Sequence, residues 1–461
     1  MSSTPLMAAK SISRRFEKTR RQEWNYLLEW IYRFGPNEYY YRDPDSTQFE
    51  RFSKSGLREK LQADGCPEYL SELKLGDKER HIMTDQFFGE LFSEAKTVAY
   101  AGPLAGYDVG FREYNGTKIL VTQAIWTCVH DDLEEGDWSG LRGILERMWG
   151  PDQIDYVYSW LQRVIRVMRS RIPSPIQFFA FGGPPDSGKT WFQEVVLDWF
   201  LGGHECPSQF MDGDTPFNSK LFRVPHLMLS DQDGSPSIQK RRKFGGYIKR
   251  ITSNKGLECH GKFADAITLD PIRVPTCSFN TSPAERIKIL PPLDDDIQDK
   301  MIITKVHYGK MPLPTATAEQ ELAFRQWTQA QLPALAWWLL NGYVPPADII
   351  LDSRFGIKGY CHPEIEEHLF EMSPERKVRD FIDDIVFADG RDQGWKGTAS
   401  DLEKLLNKDD EARAFLRRQS GRFSDILVSL ERAAPERFKR KKNNGQRLWV
   451  IEPPSASANR D

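Results

Sequence analysis

An apolar run, a glycine-bearing loop and an amphipathic stretch follow one another at residues 176–203, and together they predict an α/β fold built around a phosphate-binding loop. Ile176 to Phe181 suits a buried strand. The loop Gly183-Pro184-Pro185-Asp186-Ser187-Gly188-Lys189-Thr190 satisfies G-x-x-x-x-G-K-[ST] at every fixed position. Phe192, Val195, Val196, Trp199 and Phe200 then recur at helical spacing, and Gly202-Gly203 ends the helix. Strand, loop and helix in this order are what phosphate binding needs, because loop N–H groups wrap the anion and the helix N-terminus adds its dipole. Lys189 is then placed to reach the β- and γ-phosphates and Thr190 to ligate Mg²⁺, so ATP and Mg²⁺ are the expected cofactors.

Bulk properties narrow the class. A chain of 461 residues exceeds one ordinary core and suggests roughly three domains. With 39% hydrophobic and 28% charged residues the composition is that of a globular protein, and a net charge of −3 restricts nucleic-acid contact to local patches. Cys66, Cys128, Cys206, Cys259, Cys277 and Cys361 are scattered without a Cys-x-x-Cys pair. That argues against a zinc ribbon or a disulfide framework and predicts a reducing cytosol or nucleoplasm. Arg14, Arg15, Lys18, Arg20 and Arg21 precede no apolar core of a signal peptide, and no run approaches the eighteen or so apolar residues of a membrane span.

Turn signals and composition divide the chain at about 170, 310, 374 and 452. In 1–170, Tyr39-Tyr40-Tyr41 reads as a strand entering a turn at Asp43-Pro44, Ser55 to Leu61 as a short helix, and Lys118 to Thr122 as a strand. Tyr156 to Met168 is a strongly amphipathic helix. Residues 171–310 form the α/β block and 311–374 a helical connector rich in Trp327, Trp337 and Trp338. A last unit occupies 375–452, and 453–461 is a polar, disordered tail.

Two further strands follow the loop within the α/β block. His226-Leu-Met-Leu-Ser-Asp231 is apolar and ends in a carboxylate suited to hold Mg²⁺ directly or through water. Arg273-Val-Pro-Thr-Cys-Ser-Phe-Asn280 ends in an amide that can sense the γ-phosphate and orient the attacking water. Loop, acid-ended strand and Asn-ended strand in this order resemble the superfamily 3 helicases of viruses, phages and related replicons. The pieces Thr215-Pro-Phe-Asn218, His260-Gly-Lys262 and Leu290-Pro-Pro-Leu-Asp294 are similar to the primase-helicase branch. The resemblance implies an α/β P-loop NTPase motor of AAA+-like kind, preceded by a mostly helical, collar-like oligomerisation region and followed by a winged helix. It also implies an ATP-dependent DNA helicase assembled as a homohexameric ring, with ATP sites between subunits, single-stranded and duplex DNA as partners, and a separate primase or other replication partner. Location would be the host cytosol, or the nucleus for a eukaryotic virus, with no membrane role.

From the same resemblance, His260 and Lys262 are expected to track DNA on a channel-facing hairpin. The basic residue that completes a neighbour's site is expected among Arg241, Arg242, Arg250, Arg286 and Lys300. The sequence departs from the family pattern beside Asp231. An acid ordinarily follows, yet Gln232 stands there with Asp233 next. A neutral amide cannot accept a proton from water. Either Asp233 takes the role, or turnover is slow, or Gln232 is a Glu-to-Gln change that traps ATP, and Gln232 keeps open a nucleotide-gated DNA-binding assembly or defence switch.

In the last unit, helices are expected at Arg376–Val386, Thr398–Leu406 and Phe423–Glu431, followed by a hairpin turning at Asn444-Gly445. Its first arm carries Arg437, Lys439, Arg440, Lys441 and Lys442, a charge density suited to DNA phosphates.

Overall fold

A computed structural model of the chain describes residues 27–64, 88–92, 96–125, 127, 133–230, 238–253, 256–261, 265–281, 289–291, 293, 295–371, 373–388, 393–419, 421–443 and 446–454. The chain divides into two compact units, Met1–Cys361 and His362–Asp461.

The first unit opens with two small sheets. Strands β1 (Ile31–Phe34), β2 (Glu38–Tyr41), β3 (Glu50–Phe52) and β4 (Thr97–Val98) pair in the order β3-β2-β1-β4. Strands β5 (Tyr100–Gly102), β6 (Gly110–Tyr114) and β7 (Thr117–Val121) pair as β5-β7-β6. Among the described residues of 1–170, the short strands gather before Trp138 together with the helix Lys54–Ala63, and the longer helices Ser139–Trp149 and Ile154–Ser170 follow. Short runs rich in Tyr, Phe, Val and Thr, cut by Gly and Pro every few residues, favour the strands.

The larger sheet comprises β8 (Phe178–Gly183), β9 (His204–Glu205), β10 (His226–Leu229), β13 (Val274–Asn280), β14 (Met301–Lys305) and β15 (Tyr360–Cys361), in the order β15-β14-β8-β13-β10-β9. Every pairing is parallel. A separate antiparallel pair, β11 (Leu257–Cys259) with β12 (Ile267–Leu269), lies between β10 and β13 in sequence. All six residues of β8 are buried, as expected of a central parallel strand covered on both faces. Period two divides its rings. Phe178 meets Phe244 edge-on at 5.7 Å, from the helix Ile238–Thr252. Phe179 stacks on Trp160 at 4.7 Å, and Phe181 meets Phe192 at 5.6 Å. The main core forms on that second side, where Trp149 is fully buried and donates from Nε1 to Thr304 Oγ1 at 2.8 Å.

The long helix Ala318–Asn341 closes this core, with Leu332, Leu335 and Leu339 fully buried. Thr317 caps its start, accepting from Gln320 N at 3.3 Å. Gln162 on the helix Ile154–Ser170 donates from Nε2 to Tyr343 O at 3.0 Å beyond its end. The β11–β12 pair packs on the β5-β7-β6 sheet through Cys259 and Leu269 against Tyr100, Ile119 and Val121. Burial there pushes the Cys259 thiol up to about 12.

The second unit packs helices Pro363–Glu371, Pro374–Phe381, Ala399–Leu406, Asp410–Arg418 and Phe423–Ala433 with a three-stranded antiparallel sheet. Its strands β16 (Trp395–Gly397), β17 (Phe438–Asn443) and β18 (Gln446–Ile451) run in the order β16-β18-β17. Caps fix several helix starts. Thr398 and Asp401 form a reciprocal capping box, Ser373 accepts from Arg376 N at 3.0 Å, and Asp409 accepts from Ala412 N at 2.9 Å. No helix among the described residues is long and apolar enough to cross a membrane.

Candidate functional site

Register builds the centre of the site. β13 pairs with β8 so that Asn280 lies opposite Gly183. Both strands therefore end side by side at the carboxyl edge of a parallel sheet, where such folds bind their ligands. The chain leaves β8 through 183–190 and enters a helical segment at Lys189. Asp186 and Gly188 take positive φ values of 59° and 86°, which turn the loop back toward the strand end. The glycines are needed for closeness as well as conformation. A Cβ on Gly183 would lie 2.7 Å from Val306 O, and one on Gly188 would lie 2.7 Å from Met311 Cε.

Lys189 is buried within this loop. Its ammonium donates to Pro184 O at 2.7 Å, Asn280 Oδ1 at 2.9 Å, Gly183 O at 3.2 Å and Ser187 Oγ at 3.4 Å. Ser187 Oγ in turn donates to Pro184 O at 2.8 Å. Two residues 91 positions apart in sequence, Lys189 and Asn280, thus share one hydrogen bond. Thr190 is exposed on the first turn of the helical segment. That segment changes from α to π over Phe192–Leu197 and back to α at Asp198–Leu201. Gln193 in the π turn is fully buried and donates from Nε2 to Thr276 Oγ1 at 2.9 Å and Leu229 O at 3.2 Å, tying the helix to β13 and β10.

The loop forms one wall of a cavity of about 660 Å³. Its other walls come from Trp191, Glu194 and Val195, from Met311 and Thr315, and from Leu322, Phe324 and Arg325 on the helix Ala318–Asn341. Trp191 stacks on Phe324 with centroids 5.7 Å apart, and Phe324 on Trp327 at 5.8 Å. This wall was not legible in the sequence. The long helix carries apolar residues around its whole circumference, so no periodicity marks the face that meets the loop.

The other expected site residues are distributed as follows. Asp231, Gln232 and Asp233, with Lys262 and Arg286, lie outside the described residues; β10 is described up to Leu229, with Ser230 after it. His260 lies one residue beyond β11. Asn218 clamps it, donating from its N–H to His260 O at 3.1 Å and accepting at Oδ1 from His260 N at 2.7 Å. Arg250 is exposed near the end of the helix Ile238–Thr252, which also carries Arg241 and Arg242. Lys300 bonds Asp299 Oδ1 at 2.6 Å just before β14, at the amino edge of the sheet and so opposite the loop. On β17, Lys439, Arg440, Lys441 and Lys442 are all exposed. Arg440 pairs with Glu431, and Arg437 is committed to Asp383.

No family model and no curated protein matches the chain. Among solved structures, the apo structure of the NrS-1 C terminal region is 12% identical with a TM-score of 0.51, covering 92% of this chain and 96% of that one. An A form apo structure of the same region gives 12% identity and a TM-score of 0.50 over the same shares. A structure described as SCCmec type IV Cch, active helicase, is 9% identical at a TM-score of 0.30, covering 89% of this chain and 78% of that one. The likeness to the NrS-1 region shows a shared fold.

Proposed function

We propose that this chain is an ATP-dependent DNA helicase or translocase of a virus, phage or mobile replicon, working as a ring with ATP sites between subunits. The observation that carries the reading is the hydrogen bond between Lys189 and Asn280 inside the glycine loop. A lysine and an amide brought together at the carboxyl ends of two parallel strands make a polar centre suited to a terminal phosphate and an attacking water. The donor set fits the expected cofactors. Loop N–H groups and the Lys189 ammonium suit phosphate oxygens, the exposed Thr190 hydroxyl suits Mg²⁺, and the Trp191–Phe324 wall suits the apolar face of a nucleoside. Mg²⁺, when bound, supplies neutralisation of phosphate charge.

Lys189 holds phosphate oxygens by exchanging its loop carbonyls for them, and Asn280 orients water. Asp231, following β10, is the carboxylate proposed for the metal. Arg241, Arg242, Arg250, Arg286 and Lys300 remain the proposed basic residues for a neighbouring subunit's site. Lys300 is the most constrained of those described, through its pairing with Asp299. His260 and Lys262 are proposed to contact the DNA backbone. The second unit is read as a winged helix, its β17–β18 hairpin offering Lys439, Lys441 and Lys442 to duplex phosphates.

A second reading is a nucleotide-gated DNA-binding assembly with little turnover, and Gln232 in the position of the expected acid favours it. DNA-stimulated ATP hydrolysis measured beside strand displacement separates the two. Both activities, lost in Lys189→Ala, support the motor. ATP binding without either activity supports the gate.

A further inference from the structure

Away from the nucleotide loop, three elements bring two imidazoles and a carboxylate together. Asp198 opens the last turn, Asp198–Leu201, of the helical segment that starts at the loop, His204 opens the edge strand β9, and His226 opens β10. β9 and β10 pair in parallel with His204 opposite His226, which sets their rings 6.0 Å apart. Asp198 lies between them, Oδ2 at 2.6 Å from His204 Nδ1 and Oδ1 at 2.7 Å from His226 Nδ1. One donor atom from each residue falls within 4.8 Å of the other two.

From this geometry we propose that Asp198, His204 and His226 form a zinc site that clips the edge strand β9 to the nucleotide-binding sheet. Two imidazole nitrogens with one carboxylate select a borderline transition ion over Mg²⁺ or Ca²⁺. Zinc bonds of about 2.0–2.1 Å in tetrahedral geometry separate donor atoms by roughly 3.3 Å, so the ion enters as the two carboxylate contacts open and the three donor atoms, now within 4.8 Å of one another, adjust around it. The outer shell is also in place. His226 is fully buried with Nε2 2.8 Å from Thr276 Oγ1, so zinc on Nδ1 leaves Nε2–H to donate to that hydroxyl. Thr276 is held in turn by Gln193 Nε2 at 2.9 Å. The fourth position is solvent, since Asp198 lines a second cavity of about 640 Å³ and the His204 side chain is 34% exposed.

The clip has a mechanical purpose. β9 is two residues long and meets the sheet through two register pairs, little for an edge strand to rest on. Asp198 and Gln193 belong to the same helical segment as Lys189, so the ion would fasten that helix to β10 at the end remote from the loop.

The test uses the full-length chain with zinc and cobalt ions alone. Uptake of one zinc per chain is expected, with a raised melting temperature and, for cobalt, a visible ligand-field band of tetrahedral strength. His204→Gln keeps a polar partner for Asp198 but removes the ligand nitrogen. It should abolish the band and the thermal shift while leaving the circular dichroism spectrum unchanged. Thr276→Val should weaken zinc by about 10–100-fold, the usual effect of losing a partner behind a ligating imidazole. Failure of the folded wild-type chain to take up zinc, or equal uptake by His204→Gln, would overturn the site and leave Asp198 as a shared hydrogen-bond acceptor.

Discussion

At the scale of single residues, Asn280 and Gln232 make separable demands. Asn280 touches Lys189 through its amide oxygen and has no formal charge to lend to Mg²⁺. Asn280→Ala is therefore expected to lose ATP turnover while retaining nucleotide affinity within a few-fold, by titration against a fluorescent ATP analogue. Gln232 makes the opposite kind of prediction. General-base assistance is typically worth about 10²–10⁴-fold, so Gln232→Glu should raise steady-state hydrolysis by that order. Asp233 competes for the role. Brisk wild-type hydrolysis that collapses in Asp233→Ala and ignores Gln232→Glu would assign the base to Asp233. Glycine geometry sets a third residue-scale outcome. A Cβ at Gly182 would lie 2.3 Å from the Phe279 ring, so Gly182→Ala overpacks two central strands and should cost about 1–3 kcal/mol in a denaturant titration.

At the scale of elements, the β17–β18 hairpin separates its cations by how they are held. Arg437 is engaged with Asp383 and Arg440 with Glu431, whereas Lys439, Lys441 and Lys442 project from the exposed strand. If the hairpin meets duplex DNA, replacing each of those lysines should reduce the log–log salt slope of binding by roughly 0.9 per lost phosphate contact. Arg440→Ala should reduce it less. A slope unchanged by all three lysine replacements would assign the hairpin to a protein partner. Two of its helices were legible in advance and begin after Ser373 and Thr398, residues whose side chains satisfy the first free N–H groups. The helix Asp410–Arg418 was not anticipated. Its strongly charged sequence reads as a solvated loop until Ala412 and Leu416 are seen buried.

At the scale of the whole molecule, the expected behaviour is assembly. A site completed by a neighbour's basic residue predicts hexamers promoted by ATP, Mg²⁺ and single-stranded DNA. Light scattering that returns only monomer under those conditions would defeat the ring and, with it, the search for a trans residue among Arg241, Arg242, Arg250, Arg286 and Lys300. The first unit also shows why the region before β8 resisted reading. The strands β1 to β7 are two to five residues long, too short for period-two alternation to stand out. Their partners lie beside them in space rather than along a helix axis, so β4 joins β1 across more than sixty residues of sequence.

Sequence by itself determined the glycine loop, the strand that feeds it and the chemistry that Lys189 and Thr190 offer. Those depend on local backbone geometry and on residue types at fixed spacing. It also named Asn280, through order along the chain. Only the tertiary structure decided that Asn280 lies against Lys189, because that contact follows from the register of β13 on β8, a choice no local window contains. The same holds for the Trp191–Phe324 wall and for Asp198, His204 and His226, whose irregular spacing carries no period. Parallel pairing through crossovers brings distant segments side by side, and close packing of their side chains then fixes which of them meet.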